Sequence, residues 1–225
     1  MENGWKRAFK DEIYEQFARI GKALSSASRL ELLDLMAQRE RSVESLARET
    51  GMSVANTSRH LQVLKTERLV RRRKEGTRAY YRLADSGVYR AWRAVRTLAE
   101  SRLPEIEETV ERYLSDRDTL EALTPAELQA RLDRGAVVVL DVRPVEEYRA
   151  GHIPGARSVP VDRIEEHLEA LPDDREIVAY CRGPYCVYSD QAVRRLRESG
   201  RTARRLTGGL PEWDAEGRPV ERSAA

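Results

Sequence analysis

Apolar residues recur every three or four positions through much of the first half of the chain, a spacing that predicts helices. In "EIYEQFARIGKAL", Ile13, Phe17, Ile20 and Leu24 share one face of an amphipathic helix. "SASRLELLDLMAQ" follows with Leu30, Leu33 and Met36 turned inward, and Ser26 or Ser28 stands where a serine caps a helix start. "SVESLARETGMSVANTSRHLQVLKTERLV" then predicts a short helix, a break at Gly51-Met52-Ser53 and a second helix. Gly51 suits a helix C-terminus in the left-handed region, and Ser53 suits the next N-cap. Val54, Leu61 and Leu64 bury one side of this second helix. Its other faces carry Asn56, Thr57, Arg59, His60, Gln62 and Lys65, side chains able to reach base edges and phosphates. A solvated face on an ordinary helical hairpin has the same composition.

The period changes at "LVRRRKEGTRAYYRL", which predicts a β-hairpin turning at "KEG". Arg71, Arg72, Arg73 and Lys74 precede that turn and Arg78 follows it. A basic hairpin placed directly after such a helix points to a wing on phosphate or in the minor groove. From Val88 to Leu114 the helical spacing returns through Trp92, Val95, Leu98, Ile106 and Val110, with Pro104 either kinking the helix or starting a new one. Its stripe exceeds what a small winged domain can cover. A second copy of the chain would cover it and match a two-fold operator; packing on the chain's own second half is the alternative.

Beyond a boundary near residue 118, the pattern alternates. Thr124 caps and Pro125 opens a short helix. "AVVVLDVR" is a buried parallel strand ending in charge, and "EIVAYC" and "RTARRLTGG" are further strands. "VDRIEEHLEALP" and "SDQAVRRLRESG" are helices, and "LPEWDAEGRPV" is expected as a loop. The alternation predicts a small α/β domain with a mainly parallel sheet, over 118–225, behind a helix-rich winged domain over 1–117.

Charge sharpens this division. Residues 1–100 hold 21 Lys or Arg against 13 Asp or Glu, a balance of +8; residues 101–225 hold 19 against 25, a balance of −6. A basic half followed by an acidic half suggests two domains, the first expected to face a polyanion; ordinary charged surface is the alternative. No apolar run approaches a bilayer span, so no membrane partner is expected, and "MENGWKRAFK" has no signal-like apolar core, which predicts a cytoplasmic location. The only two cysteines, Cys181 and Cys186, fall in one stretch, "YCRGPYCVYSD". A disulfide framework needs more, so reduced, reactive thiols fit better.

Two resemblances follow from these motifs. "SASRLELLDLM" and the run from "SVESLARETG" to "AYYRL" resemble the ArsR-type winged-helix repressors, dimers released from their operator by an effector. That implies double-stranded operator DNA as partner, a reading helix from Ser53 to about Lys65 and a wing over residues 70–83. Members that sense metals use cysteines in the helix reading "VESLAR" here, or histidines and carboxylates in the terminal helix. Neither set is present, so no metal and no cofactor is expected. "VVLDVRPVEEYRAGHIPGARSVP", "IVAYC" and "GGLPEW" resemble a rhodanese. That resemblance makes Cys181 the residue that accepts sulfane sulfur as a persulfide. Asp141 and Arg143 close the first strand, while Glu147 and His152 fall where that family braces its site. The loop departs from the pattern at Cys186-Val187, where an arginine for an anionic donor such as thiosulfate is missing.

The chemistry of the loop agrees. Strand-end backbone N–H groups, a following helix, Arg182 and the pliant Gly183 favour a thiolate at Cys181, with Tyr185 lining the pocket or packing beside it. Cys186 either resolves a persulfide into a disulfide or polysulfide bridge, or is a small buried hydrophobe. The expectation is a homodimeric repressor that senses polysulfide or persulfide. A sulfurtransferase turning over such donors or thiosulfate, and a sensor of another oxidant or of arsenite, are the alternatives.

Overall fold

The computed structural model describes residues 4–114 and 117–222; the first three residues of the amino-terminal stretch, two just short of the expected boundary, and the last three of the chain lie outside it. The chain divides into two compact units, Met1–Arg96 and Thr97–Ala225. Compactness therefore places the last turns of the long helix with the second unit.

The first unit runs α1 (Gly4–Leu24), α2 (Ala27–Gln38), β1 (Arg41–Ser42), α3 (Val43–Thr50), α4 (Val54–Thr66), β2 (Val70–Glu75), β3 (Arg78–Leu83) and α5 (Ser86–Arg102), the last of which continues past the division. The strands form a small antiparallel sheet ordered β1-β3-β2. Ser42 and Ser53 cap α3 and α4, accepting the Ser45 and Asn56 N–H at 3.2 Å, and Gly51 closes α3 with φ of 68°. Ser26 occupies the N-cap of α2 but makes no side-chain bond there. Leu32, Leu33, Met36, Leu46, Leu61, Leu64, Val70 and Tyr81 form the core, while Leu30, expected inward, is half-buried. α1 forms as its spacing predicts, yet its apolar side is uncovered: Trp5, Phe9, Phe17 and Ile20 are exposed.

In the second unit Pro104 starts a new helix, α6 (Pro104–Tyr113), which buries none of its side chains. A short turn at Arg117–Leu120 leads to β4 (Ala122–Leu123), α7 (Pro125–Leu132), β5 (Val137–Asp141), α8 (Val145–Ala150), β6 (Arg157–Ser158), α9 (Ile164–His167), β7 (Glu176–Cys181), α10 (Val187–Glu198), β8 (Ala203–Gly209) and α11 (Leu210–Ala215). The five strands pair in the order β4-β8-β7-β5-β6, all parallel. Thr124 and Glu127 close a capping box on α7.

Alternate residues of β5 and β7 feed two cores, as the pleat requires. Val138, Leu140, Ile177, Ala179 and Cys181 meet Ala192, Val193 and Leu196 of α10. Val137, Val139, Val178 and Tyr180 meet Leu128 and Trp213 on the other side. Two expectations are corrected. "LPEW" is helical, because Glu212 caps α11 by accepting the Gly209 N–H at 2.8 Å and Trp213 is buried with its indole donating to the Pro219 carbonyl at 2.8 Å. "VDRIEEHLEALP" is not one helix but α9 between two tighter turns.

Candidate functional site

Two sites take shape, one in each unit. On α4, Ser53, Arg59, Gln62 and Lys65 are exposed and Asn56 and His60 half-buried, on a surface with a shallow groove lined by Ala55, Ser58, Arg59, Gln62 and Val63. Thr57 departs from expectation: it is fully buried and its hydroxyl donates to the Ser53 carbonyl at 3.0 Å. Val54, expected inward, is 49% exposed. Burial first, then Arg29 and Arg59, lowers the His60 pKa, so its imidazole is neutral near pH 7.

The wing carries Arg71, Arg72, Lys74 and Arg78 exposed and, among the described residues, in no ion pair. The turn is tighter than "KEG": Glu75 pairs with Arg78, leaving Gly76, at φ 57°, and Thr77 at the tip. Arg73 differs from its neighbours. Its guanidinium donates to Glu40 at 2.8 and 3.0 Å and to Glu75 at 2.5 Å, and lies over the Tyr80 ring. Of the five cations expected to meet a polyanion, four thus remain open, and Arg73 is already neutralised.

In the second unit Cys181 ends β7, fully buried, and Cys186 is the half-buried N-cap of α10. The two are joined by a disulfide across a Cα–Cα separation of 6.2 Å. The turn between them is closed by the Cys186 N–H donating to the Gly183 carbonyl at 3.2 Å. Beneath it runs Gly209, paired with Cys181 in the sheet. A Cβ at Gly209 would lie 2.4 Å from the Arg182 carbonyl carbon and the Cys181 oxygen, so only glycine lets β8 pass.

Around the loop, charges are spent on structure. Arg182 donates to Glu147 at 2.6 and 3.0 Å, and Glu147 is fully buried, so this arginine braces the loop instead of adding open positive potential. Asp141 and Arg143, both completely buried, are bonded through Nε at 2.9 Å and Nη2 at 2.6 Å, and Arg143 also reaches the Gly151 carbonyl at 2.7 Å. The Tyr180 hydroxyl donates to Asp141 and accepts the Ile153 N–H at 3.1 Å. Burial first, then the Asp141 charge, raises the Tyr180 pKa and keeps it a donor. His152 stacks on Tyr148 and shares a 2.9 Å bond with the Tyr148 carbonyl oxygen, a bracing position. Tyr185 stands exposed on the loop. Sequence reasoning did not single out Gly209, Glu212 or Asp190. For the first two, the signal was the "GGLPEW" close itself.

Comparison with known proteins matches this layout. Residues 26–72 match the family model described as bacterial regulatory protein, arsR family, and residues 124–216 match the rhodanese-like domain. Over 215 residues the chain is 45% identical to HTH-type transcriptional regulator Rv0324 of Mycobacterium tuberculosis, spanning 96% of this chain and 94% of that one. It is 32% identical over 92 residues to a sulfurtransferase of Allochromatium vinosum, or 41% of this chain and 85% of that one. The solution structure of the homodimeric winged helix-turn-helix DNA-binding domain of Mb0332 from Mycobacterium bovis is 47% identical, with a TM-score of 0.40, and covers 42% of this chain and 87% of that one.

Proposed function

Since the chain belongs to the ArsR family of HTH-type transcriptional regulators and carries a rhodanese-like domain behind its winged helix, we propose that it is a homodimeric repressor whose cysteine loop senses reactive sulfur. Residues 1–117 bind operator DNA and dimerise; residues 118–225 sense. The uncovered apolar sides of α1 and α5, including Phe9, Phe17, Val95 and Leu98, support dimerisation through these helices. Arg59, Gln62 and Lys65 of α4 face the groove, and Arg71, Arg72, Lys74 and Arg78 face phosphate.

The observation that carries the sensing role is the bond between the chain's only two cysteines, at the strand end where a rhodanese-like domain holds its reactive thiol. The Cys181 thiolate attacks a sulfane sulfur of hydrogen disulfide, forming a Cys181 persulfide and releasing hydrogen sulfide. The Cys186 thiolate then attacks the inner sulfur, forming the disulfide and releasing a second hydrogen sulfide. The protein loses two electrons and two protons, and the donor takes up both. The disulfide form leaves the operator.

The test is to titrate the reduced full-length protein with polysulfide while following intact mass and binding to the DNA upstream of its own gene. Loss of two hydrogens with a matched fall in affinity is expected. Cys186→Ser should stop at the persulfide and keep its affinity. Sulfur turned over at constant affinity would instead establish a sulfurtransferase, the second reading, which the match over residues 124–216 favours.

A further inference from the structure

Helix α10 begins at the cysteine loop and grips the segment by which the chain arrives from its winged half. Cys186 is its N-cap. One turn on, Asp190 is buried, with a carboxylate oxygen 3.0 Å from Nε of Arg117. Arg205 of β8 stands 3.8 Å from the other oxygen. Burial raises the Asp190 pKa, and Arg117, Arg205 and Arg194 pull it back, so its charge depends on those guanidinium groups staying close.

Toward its far end, α10 holds the same segment again. Arg197 donates to the carbonyls of Thr119 at 2.7 Å and Leu120 at 3.3 Å. Leu120 is buried in the core that also contains Cys181, Ala192, Val193 and Leu196. The Arg117 N–H in turn donates to the carbonyl of Leu114, the C-cap of α6, at 2.9 Å. The path from sulfur to α6 is therefore a rigid helix, a buried ion pair and one backbone bond.

The geometry points to α10 as a regulatory lever that carries the thiol state of Cys181 and Cys186 to residues 117–120, and from there to α6, through its contacts with Arg117, Thr119 and Leu120. This rests on the reading of the loop as a sulfur sensor. Making the disulfide ties the N-cap of the helix to the end of β7; breaking it releases that residue. A close-packed helix answers by moving as a body, because its core does not deform smoothly. Pulling the buried Asp190–Arg117 pair apart would leave two desolvated charges uncompensated, so a shift of the helix carries Arg117 with it.

Asp190→Asn and Arg117→Gln in the full-length protein test the lever. Each is prepared reduced and polysulfide-oxidised, checked by intact mass and titrated with operator. Both variants should still form the disulfide and bind operator when reduced. The affinity ratio between the two forms, on the order of tenfold or more in the parent, should fall to within about twofold of one. Variants that keep the parental ratio overturn the lever and leave the sensor standing. A parental ratio of one overturns the sensor, and the lever with it. Amide hydrogen exchange of the unmutated protein covers the case of a variant that does not fold. Residues 117–120 should exchange at different rates in the two forms, and equal rates overturn the lever.

Discussion

Arginine does opposite work on the wing and around the cysteine loop. On the wing, Arg71, Arg72 and Arg78 project into solvent with no ion-pair partner among the described residues. In the second unit, Arg143 is fully buried against Asp141, Arg182 is bound to Glu147, and Arg117 and Arg197 hold the segment before β4. A hydrated guanidinium remains available to phosphate, whose binding releases counterions. A desolvated one cannot be left alone, so each is bonded to, or paired in charge with, a carboxylate or a carbonyl oxygen. The exposed arginines of the wing therefore stay available to an anion, whereas those around the cysteine loop belong to the architecture.

Removing a buried cation should hurt most. Arg143→Ala removes the guanidinium that partners Asp141 in the interior, and urea unfolding should show a loss of about 3–5 kcal/mol. Gly209→Ala comes next, since its Cβ would meet the loop backbone; overpacking of this kind costs about 1–3 kcal/mol and should slow disulfide formation in stopped-flow thiol assays.

Wing substitutions should leave stability unchanged and alter salt dependence. Arg72→Gln or Arg78→Gln should each reduce the slope of log affinity against log salt by about 1. Arg73→Gln should change it less, because Glu40 and Glu75 already neutralise that residue; Glu40→Gln should release Arg73 and steepen the slope. Equal slopes for Arg73→Gln and Arg72→Gln would break the contrast within the hairpin.

The smallest effect belongs to His60. Its folded pKa is lowered, so the unfolded chain binds more protons as the pH falls through the ordinary value of about 6.5. Its stability contribution is intact above that value and lost as the pH falls through the lowered one. His60→Gln should flatten the unfolding midpoint between pH 7 and 5.

Local features were legible in the chain because short-range physics sets them. The Gly51 turn, the Ser53 cap, the hairpin and the alternating α/β order all follow from spacing and residue type. Thr57 was also within reach: it lies in line with Leu61 and Leu64, and a hydroxyl at a core position can bond the carbonyl four residues back. The α11 helix was hidden by its brevity and by Pro211, which reads as a breaker unless the Glu212 cap is recognised. The meeting of Arg117 with Asp190, and of Gly209 with the cysteine loop, depends on parallel pairing between distant segments, which periodicity does not encode. Among the site residues, the sequence placed Cys181 and Cys186 together; which guanidinium groups were committed to carboxylates emerged only from the fold.

The bare apolar side of α1 has a consequence for the amount of protein present. If a second copy covers Trp5, Phe9 and Phe17, folding and assembly share one mass-action equilibrium, and the apparent melting temperature rises with concentration. A regulator built this way is responsive to its own abundance: when copies are scarce, operator occupancy and the survival of the fold decline together.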